Sequence, residues 1–339
     1  MSIPVLSNKN TELLDKDFNL RLLENNDEDI IKALECIYSH YGYNYLHQAL
    51  YDLDHFKEVL SNGRLIAAVA ENAHKQVMGF GFMDAHPWFP GFMEAGGLVV
   101  NPVARGLGLG DKAIDFFNEK GREIGLKGLF VTPIMPHAVS QVLFSRHGYI
   151  PTGIYFHAGG PDSLGESGDG IHPMDCGIGV FIYDYETVRT LYVPEECREF
   201  VRDIYDEAGL KYEMKEPGSL PSGDTEIDFN HEVKENLLET RIFKIGSDFR
   251  ERIDDFPLDP DDKEVESIML LMDMKDPACP ECYRYLREKG FFFTGTVPGG
   301  ESEMIIMEYL KYRVDRDAIV IRPDYKRILD RVNEISRIF

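Results

Sequence analysis

The stretch Leu98-Val-Val-Asn-Pro-Val-Ala-Arg105-Gly106-Leu-Gly108-Leu-Gly110 constrains the fold of this chain more than any other. An apolar strand ends at Asn101-Pro102, and a basic residue with three alternate glycines opens the helical pattern that follows from Asp111. Glycines let the backbone turn tightly and leave its N–H groups unobstructed. The first turn of a helix adds N–H groups without an intrahelical acceptor and a partial positive charge. Together they make a cradle for an anion such as a pyrophosphate.

The spacing excludes two familiar phosphate loops. Asp111-Lys112 after Gly110 does not supply the Gly-Lys-Ser/Thr ending of a P-loop. Gly106-x-Gly108-x-x ends on Asp111, so the dinucleotide fingerprint also fails. What remains is Arg-x-x-Gly-x-Gly, running from Arg105 to Gly110. Taken alone, the same residues also suit a strand-to-helix turn that holds no ligand.

The flanks add order to the motif. Leu109, Ala113, Phe117 and Ile124 follow helical spacing, and Gly125 ends that helix. A strand is expected at Leu129 to Val131, a helix from His137 to His147 closed by Gly148-Tyr149, and a strand from Ile150 to His157. Upstream, Phe18 to Leu22 reads as a strand and Asp27 to Ser39 as a helix. Leu65 to Ala70 and Gln76 to Met83 form a hairpin through Asn72-Ala73-His74. In motif and in order, the segment resembles the GNAT superfamily of acyl-CoA N-acyltransferases.

That resemblance implies an α/β (α+β) fold, with residues 18–190 as the acetyltransferase domain after an extension at 1–17. It implies acetyl-CoA as cosubstrate and no metal. Leu98, Val99 and Val100 match the strand whose unpaired backbone binds pantetheine and supplies an oxyanion donor. Arg105, Gly106, Leu107, Gly108, Leu109 and Gly110 would hold the pyrophosphate, with Lys112 and Lys120 as nearby cations. Glu94 stands where several members place a general base; an ordinary ion-paired strand carboxylate is the alternative. The superfamily's usual tyrosine acid falls on Phe144, which has no proton to give. Ser140 and His137 occupy polar positions facing pantetheine, and His137 could donate instead, or simply bond nearby backbone at the helix start. Tyr43, Tyr45 and Trp88 fall in the two regions that form the acceptor pocket, or else cap the core.

Composition bounds the rest. Hydrophobic residues make up 43% of the 339 positions, which suits a globular chain long enough for two cores. No apolar run approaches a membrane span, and Met1 to Asn10 lacks a signal-peptide pattern, so a cytoplasmic protein without membrane partners is expected. A net charge of −23 repels nucleic acid and could steer cationic amines. Five cysteines, an odd number, suit a reducing compartment. Cys279-Pro-Glu-Cys282 lacks the second pair of a zinc site and reads as thiols at a helix start.

The second half echoes the first. His147-Gly148-Tyr149-Ile-Pro-Thr152-Gly153 recurs as Lys289-Gly290-Phe291-Phe-Phe-Thr294-Gly295. Gly179 to Tyr185 should complete the first sheet after a loop from Gly159 to Gly177. A helix should start at Tyr192-Val-Pro-Glu195. Leu238 to Ile245 reads as the fourth strand of a second unit, Ile268 to Met272 as its next, and Phe291 to Phe293 as an apolar strand packed within the second sheet or against the first domain. Two tandem GNAT-like domains are implied, each a mixed, mainly antiparallel sheet flanked by helices, the second spanning 191–339; chance similarity of two turns is the alternative. The second unit has no phosphate loop, so its expected part is structural or in the acceptor pocket. The expected activity is N-acetylation of a small primary amine. A non-catalytic acyl-CoA-binding or scaffold protein is the rival, and a homodimer stays open.

Overall fold

The computed structural model describes residues 17–43, 45, 47–86, 88–135, 138–160, 173–232, 236–259 and 264–339. The first half runs β1 (Asn19–Leu22), α1 (Asp27–Tyr41), α2 (Leu53–Ser61), β2 (Leu65–Glu71), β3 (Val77–Asp84), β4 (Phe92–Val100), α3 (Leu109–Glu123), β5 (Gly128–Val131), α4 (Val139–Arg146), β6 (Ile150–Gly159) and β7 (Met174–Ile182). Asn26 caps α1 by accepting from the Asp29 N–H at 3.0 Å, a contact worth about 1 kcal/mol. Ile30, Ala33, Leu34 and Ile37 then recur at helical spacing and bury one face of α1 on the sheet. On α3 the buried residues are Leu109, Ile114, Phe117 and Gly121, whereas Ile124 lies past the last turn and is exposed.

The second half runs β8 (Val188–Leu191), α5 (Arg198–Glu207), β9 (Lys211–Met214), β10 (Glu226–Glu232), β11 (Leu237–Lys244), α6 (Phe249–Asp254), β12 (Ser267–Asp273), α7 (Cys279–Glu288), β13 (Phe292–Val297), β14 (Met304–Leu310) and α8 (Pro323–Ser336). One 12-stranded sheet joins both halves in the order β1-β2-β3-β4-β5-β7-β6-β13-β14-β12-β11-β10, and β8 and β9 form a separate parallel pair. Most neighbours in the large sheet are antiparallel; β4 and β5, and likewise β11 and β12, run parallel.

The order β3-β4-β5-β7-β6 is mirrored by β10-β11-β12-β14-β13. Irregularities repeat with it. Thr152 is an extra residue in β6 between Pro151 and Gly153, and Thr294 is the same in β13 between Phe293 and Gly295. Gly97-Leu98 bulges from β4 opposite Gly81, and Phe243 bulges from β11 at the matching place. Bulges bend and twist a strand at a defined point, so their repetition gives the two halves the same local shape.

The mirror passes through Gly153 and Gly295, which pair with each other where β6 meets β13. A Cβ on Gly295 would sit 2.4 Å from the Gly153 Cα and 2.7 Å from the Thr152 carbonyl oxygen. Both neighbours are backbone and cannot swing aside. Gly295→Val should therefore destabilise the chain by about 1–3 kcal/mol, read as a lower urea midpoint. An unchanged midpoint would show that the crossing is looser than this.

The sheet is strongly curled. On a flat sheet β4 and β11 would lie roughly 33 Å apart. Instead the Trp88 indole N–H, in the β3–β4 connection, donates to Asp228 of β10 at 3.1 Å, and Arg241 of β11 donates to the Trp88 carbonyl. The C-terminal segment also crosses back. Buried Gln141 of α4 donates to the Val320 carbonyl and accepts from the Arg322 N–H, and Tyr325 of α8 packs over Gly177 and Gly179 of β7.

Several sequence expectations shift. The strand expected from Gly179 begins at Met174 and inserts between β5 and β6, so the preceding loop is shorter than Gly159 to Gly177. Thr190 and Leu191 end a strand, and the segment from Glu195 starts as a 3-10 turn before α5. Phe293 is buried, and Phe292 packs on Phe156 of the first half. Cys279 and Cys282 open α7 as buried thiols; among the described residues no cluster of His, Cys, Asp or Glu is arranged to hold a metal ion. No helix among them is long and apolar enough to cross a membrane.

Candidate active site

Strands β4 and β5 part company early. Their parallel pairing covers only Phe92, Met93 and Glu94, whereas β4 continues against β3 to Val100. From Ala95 onward the β5-facing edge of β4 has no strand beside it, so its backbone polar groups are open to a ligand. Gly97 explains the departure. It sits in the bulge at a φ of +60°, and a Cβ there would lie 2.1 Å from the Phe82 ring. In the second half β11 and β12 stay paired for six residues, to Ile242 and Met272. That fork is closed.

The glycine loop stands at the end of the open strand. Asn101 caps a 3-10 turn at Pro102–Ala104, and Gly108, at a φ of +78°, is the N-cap of α3. Gly106 also has positive φ, and the space around both α-carbons is empty. First-turn N–H groups of α3 therefore face outward with no bulk in front of them. Arg105 is exposed beside the loop, its guanidinium 2.8 Å from His40 Nδ1 at the end of α1. Asp111, an acid in the first turn, is paired with Arg146 and His147. Lys112 is exposed in the first turn, but Lys120 lies far along α3, about 15 Å from Gly110 by helical rise, and pairs with Glu123. It does not flank the loop.

A cavity of about 370 Å³ opens on the concave face of the sheet, next to the fork. Leu98, Ser140, Phe144, Tyr41, Tyr45, His47, His86 and Trp88 are among the residues that line it. Ser140 Oγ is buried without a hydrogen-bond partner, as a group that meets a ligand would be. Tyr45 donates to the Gly97 carbonyl at 3.3 Å. Phe144 is buried edge-on to Tyr149, and no hydroxyl stands in its place.

Glu94 reaches the cavity from β4 and accepts a 2.5 Å hydrogen bond from the Thr132 hydroxyl. Burial pushes its carboxyl up to about 7, against the Thr132 hydrogen bond and with help from the charges of Asp84 and Glu239. Burial also holds His47 and His86 neutral, both brought down to about 4, with Arg64 and Arg241 adding to the effect at His86. Among the described lining residues there is no Lys or Arg.

The structure thus brings Glu94, Leu98, Ser140, Tyr45 and Trp88 to one cavity. Val99 and Val100 point elsewhere: Val99 is buried in the core under α1, and Val100 packs near Leu109. Only their backbone can serve the open edge. Tyr43 is 62% exposed, edge-on to Tyr38 and Tyr51, and does not line the cavity. His137 lies outside the described residues. Sequence reasoning missed Thr132, which nothing in the sequence marks, and Glu239 of β11, which also lines the cavity. The repeat could have found Glu239: Phe92-Met-Glu94 and Leu237-Leu-Glu239 open equivalent strands.

No curated protein sequence matches the chain. Among solved structures it is similar to an N-acetyltransferase from Staphylococcus aureus Mu50, at 15% identity and a TM-score of 0.40, over 49% of this chain and 98% of that one. A phosphinothricin acetyltransferase from Sinorhizobium meliloti, in complex with AcCoA, is 17% identical, with a TM-score of 0.41 over 50% of this chain and 90% of that one. A spermidine/spermine N-acetyltransferase from Vibrio cholerae is 12% identical, with a TM-score of 0.39 over 49% and 95%. The sequence of residues 28–149 matches the acetyltransferase (GNAT) family model. The matched segment holds the open fork, the glycine loop and Glu94, and in sequence it is similar to the acetyltransferase (GNAT) family.

Proposed function

We propose that this chain transfers an acetyl group from acetyl-CoA to a primary amine of a small molecule. The observation that carries the reading is the convergence of three features: the open edge of β4, the glycine loop at its end, and Glu94 at its start. Residues 18–190 would form the working unit and 191–339 a companion whose closed fork and missing loop leave no place for a coenzyme. A cytoplasmic setting fits the five unpaired thiols.

Bound acetyl-CoA would supply the activated acetyl thioester. The N–H groups at 106–110 and Arg105 would hold its pyrophosphate, and Ser140 Oγ and the backbone of 95–100 its pantetheine. A main-chain N–H on that edge would donate to the carbonyl oxygen as charge develops there. Glu94, with its carboxyl tuned near neutrality, takes one proton from the incoming ammonium and exposes the lone pair. The C–N bond forms as the C–S bond breaks, and the second proton lost by nitrogen ends on the departing thiolate. Because Phe144 offers none, that proton would come from His137 or from solvent.

Phe144 favours a second reading, a protein that binds acyl-CoA without turning it over. Incubation with acetyl-CoA and a panel of primary amines separates the two: the enzyme releases stoichiometric thiol, and the binder releases none. Calorimetry should give one coenzyme per chain. Two would show that the β11–β12 fork opens after all.

A further inference from the structure

Following the strand registers across the sheet shows where Glu239 stands. Gly153 of β6 pairs with Ile178, and Gly295 of β13 with Ile306. In the same frame Phe130 of β5 faces Val180, and Met269 of β12 faces Glu308. Phe130 in turn faces Glu94, and Met269 faces Glu239. Glu94 and Glu239 are therefore equivalent positions of the two halves, and the curl of the sheet sets both on the same cavity.

We propose that the acceptor carries a cation at each end, in the manner of a linear α,ω-diamine. Its reacting amine sits at Glu94 and its second ammonium is held by Glu239, which makes the second half a specificity determinant. This rests on the acetyltransferase reading above.

The cavity fits such a molecule. Besides the two carboxyls its lining is largely apolar, with Phe130, Met269, Leu271 and Ile306 among the residues, which suits a methylene chain. Glu239 accepts from the Tyr155 hydroxyl at 3.0 Å and from Asn230 Nδ2 at 2.9 Å, and a carboxylate has acceptor capacity beyond two such bonds. Its two partners are neutral, so the charge is not cancelled locally. Arg241, two residues along β11, is engaged by the Trp88 carbonyl and the Ser302 hydroxyl. Burial pushes the Glu239 carboxyl up, against the hydrogen bonds from Asn230 and Tyr155, and a bound ammonium offsets part of the cost of its charge. The cavity holds two carboxyls but one coenzyme cradle, because of the two forks the β4–β5 one is open and the β11–β12 one is closed, and the glycine loop lies in the first half. One end is acetylated and the other is anchored.

The test compares diaminoalkanes of three to six carbons with the matching monoamines, in the full chain and in Glu239→Gln. By calorimetry the wild type should bind the best diamine about 10- to 100-fold more tightly than its monoamine, the worth of one charge-assisted hydrogen bond. Glu239→Gln should abolish that preference while coenzyme A affinity holds, which shows the fold is intact. In turnover the variant's KM for the diamine should rise far more than its kcat falls. Equal affinity for diamine and monoamine in the wild type, or a preference that survives in the variant, would overturn the proposal. Acetylation without diamine preference would sink this inference and leave the acetyltransferase reading standing. Glu239-dependent diamine binding without acetylation of any amine would overturn the acetyltransferase reading, and with it the reacting amine at Glu94, while keeping Glu239 as an ammonium anchor.

Discussion

Gly108→Glu is expected to lower coenzyme A affinity by about 100- to 10,000-fold, the loss of one or two charge-assisted hydrogen bonds, while the chain stays folded. The φ of +78° makes any side chain there strained, at a cost of about 1 kcal/mol. The space around Gly108 is empty, however, so a larger residue meets no core atom. What it does meet is the mouth of the first turn of α3, where a carboxylate both blocks the approach and satisfies the N–H groups itself. Gly108→Ala separates the two effects: it adds the strain without the charge, and should lose much less affinity. Calorimetry with coenzyme A reads both. A glutamate variant with parental affinity would remove the loop from the coenzyme site.

Glu94→Gln should lower kcat about 100- to 10,000-fold with little change in the KM for acetyl-CoA, the range for loss of a general base. The pH dependence carries more information. Burial raises the Glu94 carboxyl to about 7, so the carboxylate form needed to take a proton is lost as pH falls through that value. For the parent, kcat/KM should rise from pH 6 to 8 and level off once Glu94 is ionised. The glutamine variant should lack that rise. A variant with the parental profile would assign the titration to another group.

Local chemistry made much of this legible. The Arg105–Gly110 spacing names its own loop because glycine adopts the positive φ seen at 106 and 108 without the strain a side chain would add. Gly125, at positive φ, closes α3, and the repeat of Gly148-Tyr149 as Gly290-Phe291 marks two copies of one turn. Long-range geometry was not legible. The curl that brings β11 to β4 follows from bulges and accumulated strand twist, which leave no periodic signal in the sequence. Trp88 was singled out for its position in a loop, but its hold on the second half depends on Asp228 and Arg241, more than a hundred positions away. Tyr43 illustrates the opposite error. Tyr43 and Tyr45 are two positions apart in one aromatic stretch, yet Tyr45 is buried at the fork and Tyr43, itself exposed, packs on the half-buried Tyr38 and Tyr51. Composition alone cannot tell such neighbours apart.

The central claim, that the parted strands and the glycine loop hold a coenzyme whose thioester meets Glu94, is tested most directly by a crystal structure grown with acetyl-CoA. The account predicts one coenzyme per chain. Its pyrophosphate should lie on the N–H groups at 106–110, its pantetheine along β4 from Ala95 to Val100 within reach of Ser140 Oγ, and its acetyl group in the cavity beside Glu94. Coenzyme bound at the β11–β12 strands, or with its acetyl group outside the Glu94 cavity, would contradict it.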